Sequence, residues 1–171
     1  VFLIGFPRSG TTLLDTILRS HQCIEVIEEK PLISNLISSL VKITKNNLKN
    51  LDKDQIQSLQ NKYYENLSEY KNSSSEAQIF IDKMPLNIIH VGEIIKIFPN
   101  AKFILALRHP YDSVLSCFMQ QFTLNPAMKN FLSIESSAFL YDLVMKLWNI
   151  YKEKFSINFH IIKYEDIVTN F

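Results

Sequence analysis

The first twelve residues constrain the fold of this chain more than any other segment. An apolar run at residues 1–4 is followed by two glycines five positions apart, Gly5 and Gly10, and then by a helical pattern. The 171 residues include only three glycines, so a pair spaced in this way indicates a specific backbone requirement. A buried strand, a tight turn and a helix opening at the second glycine form the frame of an anion-binding loop.

The loop itself, GFPRSGTT at residues 5–12, supplies several groups that could hold a phosphate. Amides at the helix start point toward the loop, and Thr11 and Thr12 add hydroxyl donors. Loops that bind ATP or GTP place a lysine directly after the second glycine. Thr11 occupies that position here, and Arg8 inside the loop supplies the positive charge instead. We therefore expect a phosphate-binding loop without the lysine of triphosphate chemistry; the alternative is a plain strand, turn and helix.

Strand-like and helical patterns alternate along the rest of the chain. Strands are predicted at residues 1–4, 79–81, 102–107 and 159–163, and helices at about 11–20, 32–48, 46–70, 87–98, 110 onward and 134–155. A loop is expected at residues 72–75, and Phe139, Trp148 and Tyr151 are expected in the core. Strands separated by helices predict an α/β protein with a parallel sheet and helices on both faces.

Composition narrows the classes of partner. A net charge of +1 offers no basic field, so we expect no nucleic-acid partner. No apolar run reaches the roughly 20 residues of a membrane span. Two cysteines cannot form a disulfide framework, and no histidine or cysteine pair has metal-ligand spacing, so no metal site is predicted.

Polar residues follow each of the four predicted strands. They are Arg8, Ser9 and Gly10 after the first strand, Asp82 and Lys83 after the second, Arg108 after the third, and Tyr164 and Glu165 after the fourth. Parallel α/β sheets bind ligands at the carboxyl ends of their strands. The sequence therefore predicts one site along this edge of the sheet.

Residues 6–14, FPRSGTTLL, resemble the 5′-phosphosulfate loop of sulfotransferases that use 3′-phosphoadenosine 5′-phosphosulfate (PAPS). A second element of that family, an arginine with a serine eight positions later, is matched by Arg108 and Ser116. The resemblance implies a P-loop NTPase-like three-layer fold with a central parallel sheet. It also implies that Arg8 and the loop residues bind the 5′-phosphosulfate, and that Arg108 and Ser116 bind the 3′-phosphate. An arginine and a hydroxyl suit a charge-assisted phosphate clamp.

Residues 20–29, 82–87 and 163–168 resemble the tyrosylprotein sulfotransferase-like branch more closely, including bacterial members fused to tetratricopeptide repeats. The resemblance implies that Lys83 stabilises the leaving group, that Glu29 is the base and that Tyr164 lies near the nucleotide. It covers nearly the whole chain, with Gln22 and Cys23 departing from the usual Pro-Asp pair. We expect a single domain over residues 1–171 that lacks its C-terminal portion and any N-terminal extension. A bacterial cytoplasm is favoured over the Golgi lumen of animal tyrosylprotein relatives.

The implied reaction moves a sulfuryl group to a hydroxyl or phenol of a protein tyrosine, carbohydrate or small molecule, without a metal. We expect Glu29 to be partly buried beside Glu28, with a raised pKa that suits a general base. The alternative is that Glu28, Glu29 and Lys30 are solvated charges of a loop. In the cytosolic small-molecule branch of the family a histidine serves as the base. In this chain the candidates for that role are His21 and His90.

Two other functions remain open at this point. One is a kinase-like P-loop protein, for which Asp82 is the only candidate magnesium ligand, and the other is a non-catalytic nucleotide-binding module. The acceptor is not specified, although residues 46–70 and 118–131 could line its site.

Overall fold

A computed structural model describes residues 1–44, 51–72, 75–123 and 125–170. Five strands and seven α-helices make up these residues, with 3-10 helices at Pro85–His90 and Met128–Leu132. In chain order they are β1 (Phe2–Gly5), α1 (Thr11–Arg19), β2 (Ile24–Glu28), α2 (Leu32–Thr44), α3 (Lys53–Ser68), β3 (Ile79–Lys83), α4 (Val91–Ile97), β4 (Lys102–Leu107), α5 (Pro110–Met119), α6 (Ile134–Lys154), β5 (Asn158–Lys163) and α7 (Tyr164–Thr169).

The five strands form one parallel sheet in the order β2-β3-β1-β4-β5. All four residues of β1 are buried because this strand lies at the centre, and its carboxyl end leads directly into the glycine-bracketed loop. Gly5 pairs with Ala106 of β4, and a Cβ atom at Gly5 would lie 2.7 Å from the Ala106 carbonyl oxygen. The first glycine therefore allows the loop to leave the sheet beside β4.

Alternate residues of the strands face two separate cores, as the pleat of a sheet requires. Phe2, Ile4 and Phe6 pack on one side with apolar residues of α2 to α6, including the buried Trp148. Leu3 packs on the other side with Leu14 of α1. The predicted parallel sheet with helices on both faces is confirmed.

One strand escaped the sequence analysis. β2, Ile24–Glu28, was not predicted because Glu25 and Glu28 interrupt its apolar residues, as edge strands allow. The sequence pattern predicts Asp82 and Lys83 just after a strand, whereas in the structure they are the last two residues of β3. The predicted helix over 87–98 is a 3-10 helix followed by the shorter α4.

Several other boundaries also differ from those predicted. α2 covers Leu32–Thr44 of the predicted 32–48, and α3 covers Lys53–Ser68 of the predicted 46–70. Residues 45–50, and residues 73 and 74 of the predicted loop, lie outside the described residues. The core assignment of Phe139 is wrong, because its ring lies on the outer face of α6 and is 63% exposed. Trp148 is buried as expected, and Tyr151 is half-buried.

Candidate functional site

The loop after β1 has the backbone shape of an anion cradle. Arg8 and Gly10 have φ angles of 66° and 92°, in the left-handed region that residues other than glycine seldom adopt. Gly10 is the N-cap of α1 and offers no side-chain cap, so the first-turn amides retain donor capacity for an anion. Thr11 is buried, whereas Thr12 and Arg8 are exposed. The hydroxyl oxygen of Ser9 is buried and has no hydrogen-bond partner among the described residues.

The loop is joined to α5 and to Arg108 just before it by contacts between residues 100 or more positions apart. Arg8 Nε donates to Ser116 Oγ at 3.1 Å, and Cys117 Sγ donates to the Pro7 carbonyl at 3.3 Å. Arg108 Nη1 donates a long hydrogen bond of 3.4 Å to the Arg8 carbonyl. The two motifs that the sequence singled out separately, the loop and the Arg108–Ser116 element, therefore form one surface.

Tyr164, the first residue of α7, completes this group. The Arg108 guanidinium carbon lies 4.6 Å from the centre of the Tyr164 ring, which is a cation–π distance. A Cβ atom at Gly10 would lie only 2.5 Å from Tyr164 Cδ2, so the second glycine makes room for this ring. Glu165 accepts a hydrogen bond from the His109 amide at 2.8 Å, which fastens α7 to the start of α5. That bond lowers the pKa of Glu165.

A second group of charges surrounds Lys83 at the carboxyl ends of β2 and β3. Lys83 is completely buried, and its Nζ lies 2.8 Å from Glu28 Oε1 and 3.0 Å from Glu29 Oε1. Glu28 pairs with Lys83 in the strand register, and the Glu29 amide donates to the Lys83 carbonyl at 2.8 Å. The hydrogen bond from Lys83 holds the pKa of Glu28 below its ordinary value.

The expected burial of Glu29 is wrong, since its side chain is 55% exposed. The edge position of β2 leaves the residue after it facing solvent. Glu29 has a φ angle of 49°, and with Arg8 it is one of the two non-glycine residues with positive φ in the described part of the chain. Such strained backbone is concentrated at functional sites, and here it falls on two residues that the sequence had singled out.

Asp82 points away from Lys83, because neighbouring residues of a strand face opposite sides of the sheet. It is buried near α3, where the Tyr63 hydroxyl donates to its Oδ2 at 3.0 Å. Burial raises the pKa of Asp82 to about 6. The only acid that the kinase-like interpretation offered for magnesium therefore faces the α3 side, and not the α1 side where Lys83 lies.

The predicted site residues thus fall into two groups at the carboxyl edge of the sheet. Arg8, Arg108, Ser116 and Tyr164 form the first, and Glu29 and Lys83 form the second. The loop's parent strand β1 pairs with both β3 and β4, so it lies between the two groups. Within the described ranges, no hydrogen bond or ion pair joins one group to the other.

The two candidate histidines have partners of their own. His21 Nδ1 accepts from the Cys23 amide at 3.2 Å, and His90 Nδ1 lies 3.7 Å from Glu93. Sequence reasoning did miss two residues near Lys83, namely Asp15 and Arg19 of α1. Their opposite charges four positions apart on a predicted helix were the available signal.

The described residues contain neither a metal-binding cluster nor a membrane-crossing helix. No set of three or more histidine, cysteine, aspartate or glutamate side chains is arranged to hold a metal ion. None of the helices there is both long enough and apolar enough to cross a membrane.

The fold and the loop define the class as a P-loop-like α/β protein, and comparison with known proteins gives the family. The sequence profile described as "Sulfotransferase family" matches residues 1–171. The chain therefore belongs to the sulfotransferase family, as its motifs indicated.

One curated relative and two solved structures are similar to the chain. An uncharacterized protein of Aquifex aeolicus (strain VF5) is 30% identical over 132 residues, which is 71% of this chain and 17% of that protein. The sulfotransferase STF9 from Mycobacterium avium superposes with a TM-score of 0.60 at 14% identity, covering 99% of this chain and 60% of that one. Deoxyadenosine kinase from M. mycoides, solved with dATP bound, gives a TM-score of 0.47 at 9% identity over 96% and 90% of the two chains. The parallel sheet flanked by helices and the superposition on STF9 confirm the predicted three-layer P-loop-like fold.

Proposed function

We propose that this chain carries the sulfuryl-transfer site of an enzyme that uses PAPS as donor and a hydroxyl or phenol as acceptor. The observation that carries the proposal is the hydrogen bond from Arg8 Nε to Ser116 Oγ, since it brings the anion loop and the Arg108–Ser116 element together. A nucleotide with phosphates at both its 5′ and 3′ positions needs two neighbouring anion sites. Membership of the sulfotransferase family supports the same donor.

The residues of the first group fit such a donor chemically. In the described part of the chain, Arg108 Nε is buried without a hydrogen bond and lies 3.9 Å from Asp112, and Ser9 Oγ of the adjoining loop is buried without a partner. In the proposed assignment, Arg8, Ser9, Gly10, Thr11 and Thr12 hold the 5′-phosphosulfate, with their amides and hydroxyls as donors. Arg108 and Ser116 hold the 3′-phosphate. The ring of Tyr164 offers an aromatic face beside the nucleotide.

The second group supplies the chemistry of transfer. The acceptor oxygen forms a bond to sulfur as the bond between sulfur and the 5′-phosphate oxygen breaks, and the acceptor proton passes to Glu29. Negative charge grows on the departing phosphate oxygen, where the Lys83 ammonium and Arg8 stabilise it. Glu29 is placed for the role of base, because its exposed carboxylate is open to an acceptor and a 3.0 Å contact holds it beside Lys83.

The finer branch rests on the stretches at residues 20–29, 82–87 and 163–168. We assign the chain to the tyrosylprotein-like or bacterial tetratricopeptide-linked sulfotransferases, with residues 1–171 as one domain. A bacterial cytoplasmic setting, with no nucleic-acid partner and no metal, accompanies this assignment.

Removing the Arg108 side chain should weaken recognition of the 3′-phosphate. Wild-type protein should bind 3′-phosphoadenosine 5′-phosphate (PAP) about 100-fold more tightly than adenosine 5′-monophosphate, because a charge-assisted contact contributes about 1.5–3 kcal/mol. In Arg108→Ala the preference should fall below about tenfold, with little change for the monophosphate. Calorimetric titration of both nucleotides measures this directly.

Lys146→Ala is the matched control, since it removes an exposed cation of α6 that pairs with Asp142. It should retain the wild-type preference. Equal affinities of wild-type protein for the two nucleotides would contradict the proposed 3′-phosphate site.

A further inference from the structure

Four charged side chains, one of them the buried Lys83, form a closed ring. Lys83 Nζ lies 2.8 Å from Glu28 Oε1 and 3.9 Å from Asp15 Oδ2. Arg19 closes the ring, because its guanidinium makes a two-pronged contact with Asp15 and lies 3.7 Å from Glu28 Oε2. Cations and carboxylates alternate around the ring, so every charge has two neighbours of opposite sign.

The inner and outer members of this ring differ in burial. The side chains of Lys83 and Asp15 are 0% and 4% exposed, whereas those of Arg19 and Glu28 are 43% and 49% exposed. Buried charges are stable only when they are paired, so Lys83 and Asp15 depend on each other and on their outer partners. Glu29 stands outside the ring and contacts Lys83 Nζ at 3.0 Å.

We propose that Asp15 and Arg19 are positioning residues that, together with Glu28, fix the Lys83 ammonium at the reaction centre and leave Glu29 free to take the acceptor proton. This inference rests on the function proposed above and assigns different roles to the two adjacent glutamates. Glu28 is held by two cations, so it is the structural carboxylate of the pair.

The charge count supports this division. Asp15 and Glu28 balance Arg19 and Lys83, so the ring is neutral without Glu29. A carboxylate that is not needed for neutrality can accept a proton while the ring stays intact. The other charged residue adjacent in the strand, Asp82, faces the opposite side of the sheet. The groups that face Lys83 therefore come from α1 and from the end of β2.

The first test measures whether Lys83 is held in place in the free protein. Nitrogen relaxation of the lysine ammonium groups gives an order parameter, with the Lys83 signal assigned from a Lys83→Arg spectrum. We expect a rigid value of about 0.8 in wild-type protein and a value below about 0.6 in Asp15→Asn and Arg19→Gln. Arg19→Lys should recover part of the lost order. The control is Asp142→Asn, which changes an exposed aspartate paired with Lys146 on α6 and should leave the order parameter of Lys83 unchanged.

The second test is a double-mutant cycle on PAP affinity. Asp15→Asn should weaken binding of PAP about fivefold to tenfold in the wild-type background, but less than about twofold in a Lys83→Met background. A role confined to folding would weaken binding equally in both backgrounds. Because Arg19 is half-exposed, Arg19→Gln serves in the same cycle if Asp15→Asn does not fold.

Two results would overturn the inference: an unchanged order parameter for Lys83 in both variants, or equal loss of affinity with and without Lys83. Failure of the proposed function has a different signature, namely wild-type protein that does not bind PAP. In that case the order parameter still decides whether Asp15 and Arg19 position Lys83.

Discussion

Replacing Lys83 by alanine should reduce the rate of sulfuryl transfer about 10³-fold, the scale expected for losing one preorganised cation from a charge-stabilising site. Lys83 is the one fully buried cation of the second group, and a buried ammonium acts more strongly on developing charge than an exposed one. The rate is measured as transfer of radiolabel from PAPS, at saturating donor, to an acceptor selected by screening phenols, sugars and peptides.

Folding must be separated from chemistry in this experiment. Asp15 is left with Arg19 as its partner when Lys83 is removed, so the buried carboxylate is not stranded. Lys83→Met keeps the apolar stem and should lose the same activity. Circular dichroism and thermal melting check that both variants are folded. A folded Lys83→Met protein with the wild-type rate would contradict the assignment of Lys83.

Glu29→Gln should lower the rate about 10²- to 10⁴-fold, the usual contribution of a general base. Affinity for PAP should change by less than about threefold, because Glu29 acts on the proton of the acceptor and is not assigned to binding of the nucleotide. The amide keeps the shape of the side chain and can still accept from Lys83. Single-turnover transfer and calorimetry on the same protein separate the two effects.

Glu25→Gln is the matched control for this substitution. Glu25 lies on β2, the strand that ends one residue before Glu29, and its carboxylate accepts a hydrogen bond from the Asn72 amide at 2.7 Å. It should keep the wild-type rate. If Glu29→Gln also keeps that rate while His21→Ala or His90→Ala loses it, the base is a histidine.

The elements nearest the loop could be predicted from the sequence because local rules determine them. The strand, the glycine turn and α1 follow from an apolar run, two glycines and a helical pattern, and the structure confirms all three. The structure also brings Ser116 into contact with Arg8 of the loop, and the resemblance-based assignment of Arg108 and Ser116 to a 3′-phosphate site stays a prediction. These features depend on residues close together or on a motif read as a unit.

What escaped prediction depends on contacts between distant segments. β2 is an edge strand with glutamates among its apolar residues, so no continuous apolar run marked it. Because that strand was not predicted, the expectation that Glu29 is partly buried was wrong. Glu29 is exposed because it lies just beyond the edge of the sheet. The ring of charges brings α1 to β2 and β3, and only the fold shows that Asp15 approaches Lys83 across 68 positions of sequence.

The most direct test of the proposed donor site is a calorimetric titration of wild-type protein with PAP and, separately, with magnesium ATP. The loop has Thr11 in place of the lysine that grips triphosphates, and Arg108 and Ser116 stand beside it to receive a 3′-phosphate. PAP should therefore bind at least about tenfold more tightly than magnesium ATP. Tighter binding of magnesium ATP would contradict the sulfotransferase donor site and favour the kinase-like alternative.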